Sequence, residues 1–184
     1  MSTCHTTSNR SSAGCIAYAA LFALLGCLFL AGCEPEKEAS GQTASPDTYF
    51  PIGIGPRTLQ LQLALTPAEH QKGLMFREEL AEDHGMLFLF KRPARQGFWM
   101  KNTGLRLDIG YFDPGGRLQE IHKLFPYNET AVVSRSQRIL MAVETNRGWY
   151  AGNGIGPGAQ LDTEALKAAI VKRGFSPETY AIED

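Results

Sequence analysis

Residues able to do chemistry are concentrated in one short segment, residues 97–103, which reads GFWMKNT and is followed by Asp108. The segment combines a cation, Lys101, with an amide, Asn102, and lies between two apolar runs. A carboxylate beside a lysine and an amide can orient a ligand or act as a general base. Polar groups in apolar surroundings more often serve the backbone through hydrogen bonds. The pattern therefore favours a structural role for Asp108 and Asn102 and leaves ligand contact open.

The candidates for ligand binding share either a charge, an amide or an aromatic face close to this segment. They are Arg77, Trp99, Lys101, Asn102 and Asp108. No GxSxG, P-loop or GxGxxG motif occurs, so the sequence identifies no catalytic residue. One enzymatic alternative remains, a hydrolase or lyase acting on cell-envelope material. Asp108 would then be the base, with Lys101 and Asn102 as charge stabilisers.

Neither a metal site nor a cofactor is expected. The histidines after the N-terminal region, His70, His84 and His122, lack the spacing of zinc ligands and are predicted to lie on the surface. Thioethers suit copper(I), but each methionine among Met75, Met86, Met100 and Met141 stands between core-type residues, which favours packing. Trp99, Trp149 and Tyr150 could stack on a sugar ring, although aromatics in a small β domain more often belong to the core.

The charge balance gives no hint of a charged partner. The chain has 18 basic and 19 acidic residues, and of these only Arg10 precedes Cys33. The remainder therefore holds 17 bases against 19 acids, a net charge of −2. Binding of nucleic acid usually requires a basic field, so we expect no nucleic-acid partner.

The N-terminal region has the pattern of an export signal. Residues 15–32 are an uninterrupted apolar run, preceded by polar residues and one cation. The four cysteines all lie in the first 33 residues, a position that argues against a disulfide framework in the folded part. A plain transmembrane anchor is the alternative interpretation, and either one places the rest of the chain outside the cytoplasm.

The end of this run, Leu30-Ala31-Gly32-Cys33, resembles the lipobox of bacterial lipoproteins. The resemblance implies cleavage before Cys33, lipidation of its thiol and anchoring to a membrane. Glu34 follows the cysteine and is ambiguous as a sorting residue. We therefore expect a protein on the periplasmic side of the cell envelope, at the outer membrane in preference to the inner.

The chain after Cys33 divides into a tether, one domain and an extension. Residues 34–56 are polar and rich in proline, as in a flexible tether. Residues 57–161 alternate short apolar strands with turn signals, which predicts a mostly β domain, a sandwich or barrel with short helices. Residues 162–184 form a C-terminal helical extension with a helix over 164–172. With no cysteine or ligand cluster, this domain should fold as a monomer on its core alone.

Four motifs in order resemble the domain of unknown function 192 family. They are GLMFR at residues 73–77, GMLFLF at 85–90, FWMKNT at 98–103 and Leu107-Asp108. The resemblance extends from Leu59 to Leu161 and implies a compact, mostly β domain, often exported or lipid-anchored, without an established role. The family often ends in Gly-Ile-x-x-Gly-Asp, whereas residues 154–159 read GIGPGA. Ala159 stands where the family has this final aspartate, so a catalytic carboxylate at that position is not expected in this protein. Gly104 stands where the family commonly has an aliphatic residue.

Together these observations predict a lipid-anchored envelope domain that binds a small polar ligand, a glycan or another envelope protein.

Overall fold

The structure is a computed structural model that describes residues 43–183. The predicted signal peptide, Cys33 and the first part of the predicted tether lie outside these residues. The strands are β1 (Phe50–Ile54), β2 (Arg57–Ala64), β3 (His84–Ala94), β4 (Gly97–Phe98), β5 (Leu107–Phe112), β6 (Leu118–Leu124), β7 (Val132–Val133) and β8 (Ile139–Asn146). The helices are α1 (Pro67–Lys72), α2 (Trp149–Gly152), α3 (Thr163–Lys172) and a short 3₁₀ helix, Pro177–Thr179.

Six strands form one mixed sheet in the order β1-β2-β3-β8-β5-β6, and β4 pairs with β7 in a separate two-stranded ribbon. Only β2 and β3 pair in parallel within the large sheet; its other neighbours are antiparallel. The mostly β class with short helices is thereby confirmed. The architecture is an open sheet with β1 and β6 at its edges.

Helix α1 connects the two parallel strands, because a parallel pair cannot be joined by a tight hairpin. Its predicted capping box is present: the amide of Glu69 donates to the Thr66 hydroxyl, and Glu69 accepts from the amides of Leu65 and Thr66. Burial alone would raise the pKa of Glu69, but these bonds and Arg173 lower it. The Arg173 guanidinium donates to Glu69 and to the Leu63 carbonyl, at 2.5 Å each, so it joins the end of the chain to the start of α1.

The two faces of the large sheet are covered differently. On what we call the helix face, the aromatic pair Trp149 and Tyr150 and the apolar side of α3 close the core. On the opposite face, which we call the cavity face, Leu74, Met100 and Leu105 pack over β3, β8 and β5. Side chains alternate along a strand, so neighbouring residues of β5 and β8 belong to different faces.

Strand β1 lies within the segment predicted as a tether, and the predicted extension is packed into the core. Phe50, Ile52 and Ile54 alternate as strand residues should, but the intervening proline and glycine weaken the strand pattern. Helix α3 forms where predicted, and its Leu166 and Ile170 are fully buried against this part of the core. Residues 43–183 belong to one compact unit. None of their helices has the length and apolar character needed to cross a membrane.

Candidate functional site: a cavity over Glu144

A cavity of about 110 Å³ opens on the cavity face. Residues 70–75, from the end of α1 and the following turn, form one wall, and residues 97–100 form another. The strands below contribute Phe88 and Glu144. The lining combines aromatic, aliphatic and thioether side chains with the polar residues His70, Gln71, Lys72 and Thr103. Lys72 is exposed to solvent, so only a buried acidic group among these residues requires an explanation.

Glu144 is that buried acidic group. It lies on β8, the middle one of three neighbouring strands, between Met86 of β3 and Ile109 of β5, and only 4% of it is exposed. Within residues 43–183 its carboxyl group makes no hydrogen bond and no ion pair, although it lines the cavity. Burial raises the pKa of Glu144 to about 8. A buried carboxyl without a partner is costly, because its ionised form has lost water and gained nothing in return.

His70 is the second titratable group of the lining with a shifted pKa. Its Nε2 lies 2.9 Å from the Ala64 carbonyl oxygen, so this nitrogen carries the proton and donates. The ring also contacts Phe90, with centroids 4.9 Å apart. Burial is the main cause that lowers the pKa of His70. A neutral imidazole tied to the backbone offers Glu144 no counter-charge.

Contacts between aromatic rings hold the walls in place. Phe98 of β4 packs on Phe88 with centroids 4.8 Å apart and on Tyr111 at 5.9 Å. The Tyr111 hydroxyl donates to the Val132 carbonyl at 2.8 Å, which ties the β4–β7 ribbon to the large sheet. Such pairs add stability beyond the area that they bury. The ribbon therefore keeps Phe98 over the cavity face as a rigid wall.

The mouth of the cavity combines an exposed aromatic ring with strained backbone. Trp99 is 46% exposed, and the Lys101 ammonium lies 5.4 Å from the centre of its ring. Among described residues other than glycine, positive φ angles occur at Phe76, Asn102 and Tyr127. The Phe76 amide donates to the Asn102 carbonyl at 2.9 Å, and the Tyr127 amide donates to the carbonyl of the residue after Asn102, at 3.0 Å. Strain concentrated beside one opening is typical of a functional site.

The five candidates from the sequence do not converge. Trp99 lines the cavity, and Lys101 and Asn102 are exposed beside it. Arg77 donates to the Tyr49 hydroxyl at 3.1 Å and to the Gln62 side chain, away from the lining. It therefore braces neighbouring segments of the fold.

Asp108 lies on the other side of the sheet from Lys101 and Asn102. Its Oδ2 accepts from the Gly148 amide at 2.7 Å, and the Arg147 Nε lies 2.9 Å from Oδ1 as an ion pair without hydrogen-bond direction. Arg147 also donates to the Leu107 carbonyl at 3.0 Å. These contacts fix the turn after β8, which is the structural role that the sequence favoured.

The other residues considered from the sequence are mostly built into the core. Trp149 and Tyr150 are buried on the helix face. The histidines are half-buried, which differs from the predicted surface positions, because each contacts an aromatic ring. Residues 43–183 hold no group of three metal-binding side chains.

His122 belongs to a compact ion cluster at the edge of the cavity face. Its Nε2 lies 2.7 Å from Glu120, which also accepts from Arg135 and from the amide of Ser136. Burial alone would raise the pKa of Glu120, but these donors lower it to about 2. Unlike Glu144, this buried carboxylate is fully partnered.

The sequence reasoning missed Glu144. The run Ile139–Asn146 reads ILMAVETN, and apolar residues at consecutive positions indicate a strand buried on both faces. A glutamate inside such a strand is an unusual feature that could have been noticed.

Comparisons with known proteins agree with the motifs. The family model DUF192, described as an uncharacterized ACR, matches residues 50–163. A crystal structure from Sinorhizobium meliloti 1021, described as a "putative transcription regulator", is 32% identical with a TM-score of 0.60. The match covers 62% of this chain and 95% of that one. A protein of unknown function from Novosphingobium aromaticivorans is also 32% identical, with a TM-score of 0.60, over 68% of this chain and 97% of that one.

A search of curated proteins found no significant match. The family match covers more than half of the sequence, including β1, which the motifs alone had not included. The chain therefore belongs to the domain of unknown function 192 family.

Proposed function

We propose that this protein is a lipid-anchored domain of the cell envelope that binds a small ligand in the cavity over Glu144. The observation that carries the proposal is the unpartnered, 4% exposed carboxyl group that lines a cavity walled in part by four aromatic rings. Buried polar groups in folded proteins usually have a hydrogen-bond partner. Its retention at an opening is explained if a ligand supplies the missing partner.

The size of the cavity limits the ligand. At about 110 Å³ it is well below typical pockets for cofactors and drug-sized molecules, which measure roughly 300–1,000 Å³. A complete sugar or nucleotide is too large to be enclosed. The ligand, or the part of it that enters, has a polar end for Glu144 and a slim apolar body for the aromatic and thioether walls.

The proposed anchor is the lipidated Cys33, and the membrane is the partner that it implies. The near-neutral charge supports no nucleic-acid partner, and we expect a monomer. Replacement C33S should leave an unprocessed precursor. Metabolic labelling with a palmitate analogue measures this, and equal label on the variant and the natural chain would contradict the anchor.

An enzyme using Asp108, Lys101 and Asn102 is not the function that the geometry supports best. A general base and its charge stabilisers must reach the same reacting atoms. Asp108 is engaged with Gly148 and Arg147 on the helix face, whereas Lys101 and Asn102 lie exposed beside the cavity mouth.

Fluorine NMR on the full chain in mild detergent tests ligand binding, because the two tryptophans report on different faces. Biosynthetic fluorotryptophan gives one signal from Trp99 at the mouth and one from Trp149 on the helix face, assigned with the variant W99F. Butanol, butyramide and butylammonium serve as size-matched probes. We expect at least one of them to shift the Trp99 signal saturably and leave Trp149 unchanged. No selective shift with any probe would contradict the proposal.

A further inference from the structure

We infer that the cavity over Glu144 recognises an alkylammonium group, a primary amine cation on a slim unbranched stem. The inference rests on the proposed function and names the chemical class of the ligand. The same chemistry is offered by a free alkylamine and by a lysine side chain of a partner protein. Both sources are separated by the experiment below.

The floor of the cavity requires a donor that the chain does not supply. An ionised carboxylate only accepts hydrogen bonds, and within residues 43–183 no donor reaches Glu144. An ammonium brings three donors and a full positive charge to this group. In apolar surroundings that pairing is far stronger than it would be in water.

The walls suit the rest of the cation. The faces or edges of Phe88, Phe90, Phe98 and Trp99 line the cavity, together with the thioethers of Met75 and Met100. Ring faces attract cations, and apolar walls accept the methylene stem. A carboxylate or phosphate ligand would meet Glu144 as a like charge and is disfavoured.

The chain itself contains an example of this contact at the mouth. The Lys101 ammonium lies 5.4 Å from the centre of the Trp99 ring, on a tryptophan that lines the cavity. This position demonstrates that the Trp99 ring is open to an ammonium group. An entering amine can exchange with Lys101 at the ring before it reaches Glu144.

Binding of a cation should depend on pH through Glu144. An ammonium group stabilises the ionised form of Glu144, whereas burial stabilises the protonated form. Binding of the cation is therefore coupled to release of the proton from Glu144. The other groups that line the cavity or interact with this carboxyl are His70, Lys72, Tyr111 and Tyr150. Burial lowers the pKa of His70 below its ordinary value of 6.5 and raises the pKa of both tyrosines, so all three rings are neutral at neutral pH. Lys72 lies on the exposed outer wall.

The experiment compares charged and neutral probes of one shape on the full chain, read from the Trp99 fluorine signal. Butylammonium should bind at least tenfold more tightly than butanol. Its affinity should rise by about tenfold per pH unit between about pH 6 and pH 8, whereas butanol affinity stays constant. In E144Q the preference for the cation and its pH dependence should both disappear. Glu164→Gln, on the exposed side of α3, is the matched control and should change neither.

A second arm identifies the source of the amine. Nα-acetyl-lysine methylamide is compared with its Nε-acetylated form and with free butylammonium. Tighter binding of the lysine derivative assigns a protein partner, tighter binding of butylammonium assigns a free amine, and either supports the inference. Equal binding of butanol and butylammonium, or a pH-independent preference, would overturn it while the ligand-binding proposal stands. If no probe shifts Trp99 selectively, both proposals fail.

Discussion

Asp108 and Glu144 are buried carboxyl groups on adjacent central strands, and they face opposite sides of the same sheet. Asp108 pairs across the strands with Thr145, directly beside the pair of Ile109 and Glu144. Their exposed fractions are nearly equal, 6% and 4%. Asp108 nevertheless has a backbone amide at 2.7 Å and a guanidinium at 2.9 Å, whereas Glu144 has neither.

The difference lies in the segments that cover each face. The helix face is closed by α2, α3 and a turn whose amide and arginine point at Asp108. The segments over the cavity, residues 70–75 and 97–103, contain donors, but none of them forms a hydrogen bond or ion pair with Glu144. Burial alone therefore does not define the role of an acid. The presence of hydrogen-bond donors within reach distinguishes Asp108, whose carboxylate stabilises a turn, from Glu144, whose carboxyl group is available to a ligand.

The largest expected effect concerns the pH dependence of stability. The pKa of Glu144 rises from 4.5 in an unfolded chain to about 8 in the folded protein. Between these values the folded state holds a proton that the unfolded state releases, so stability falls as pH rises from about 5 to 8. At ~1.4 kcal/mol per pKa unit, the loss is on the order of 4 kcal/mol.

E144Q should remove this loss, since an amide does not ionise. Denaturant melts of the full chain at several pH values measure it. E144Q should match the natural chain near about pH 5 and exceed it above about pH 8. If the unfolding free energies of E144Q and the natural chain change in parallel across this pH range, Glu144 has a partner that stabilises its ionised form.

The next effect is the loss of the partnered acid. Asp108→Ala leaves the Gly148 amide without its acceptor and the Arg147 guanidinium without its ion-pair partner, which should destabilise the protein by about 1–3 kcal/mol. Asp108→Asn keeps an oxygen for the amide and should recover part of the loss. Chemical denaturation decides it, and an unchanged midpoint for Asp108→Ala would remove the contrast between the two acids.

The smallest effect tests how tightly each face is packed. A β-carbon on Gly110 would lie 2.5 Å from the hydroxyl oxygen of Tyr150, which is buried and donates to the Val143 carbonyl. Gly110→Ala should therefore cost about 1–3 kcal/mol. A β-carbon on Gly104 would meet the Tyr127 hydroxyl at 2.6 Å, but Tyr127 is 69% exposed and can turn away.

Gly104→Ala should accordingly cost less than about 0.5 kcal/mol. Thermal melts of the two variants give the difference directly. Equal losses would indicate that the loop over the cavity is as tightly held as the helix face.

Local patterns in the sequence predicted those parts of the fold that depend on residues close to one another along the chain. The alternation around Leu61, the capping box at Thr66 and the helix start at Asp162 are all present. The site could be predicted only in part, because partners come from distant segments. Asp108 receives its donor from Gly148, 40 residues away, and nothing near Glu144 in sequence reveals that no donor arrives.

The bond between Arg173 and Glu69 has a consequence for the time at which the domain becomes complete during synthesis. The two residues are 104 positions apart, and Arg173 also reaches Leu63, 110 positions back. At a translation rate of roughly 5–20 residues per second, the start of α1 waits about 5–20 seconds for this partner. Until then Glu69 caps its helix alone, and the helix face lacks α3. A nascent chain arrested before Arg173 should therefore be more sensitive to protease than the finished protein.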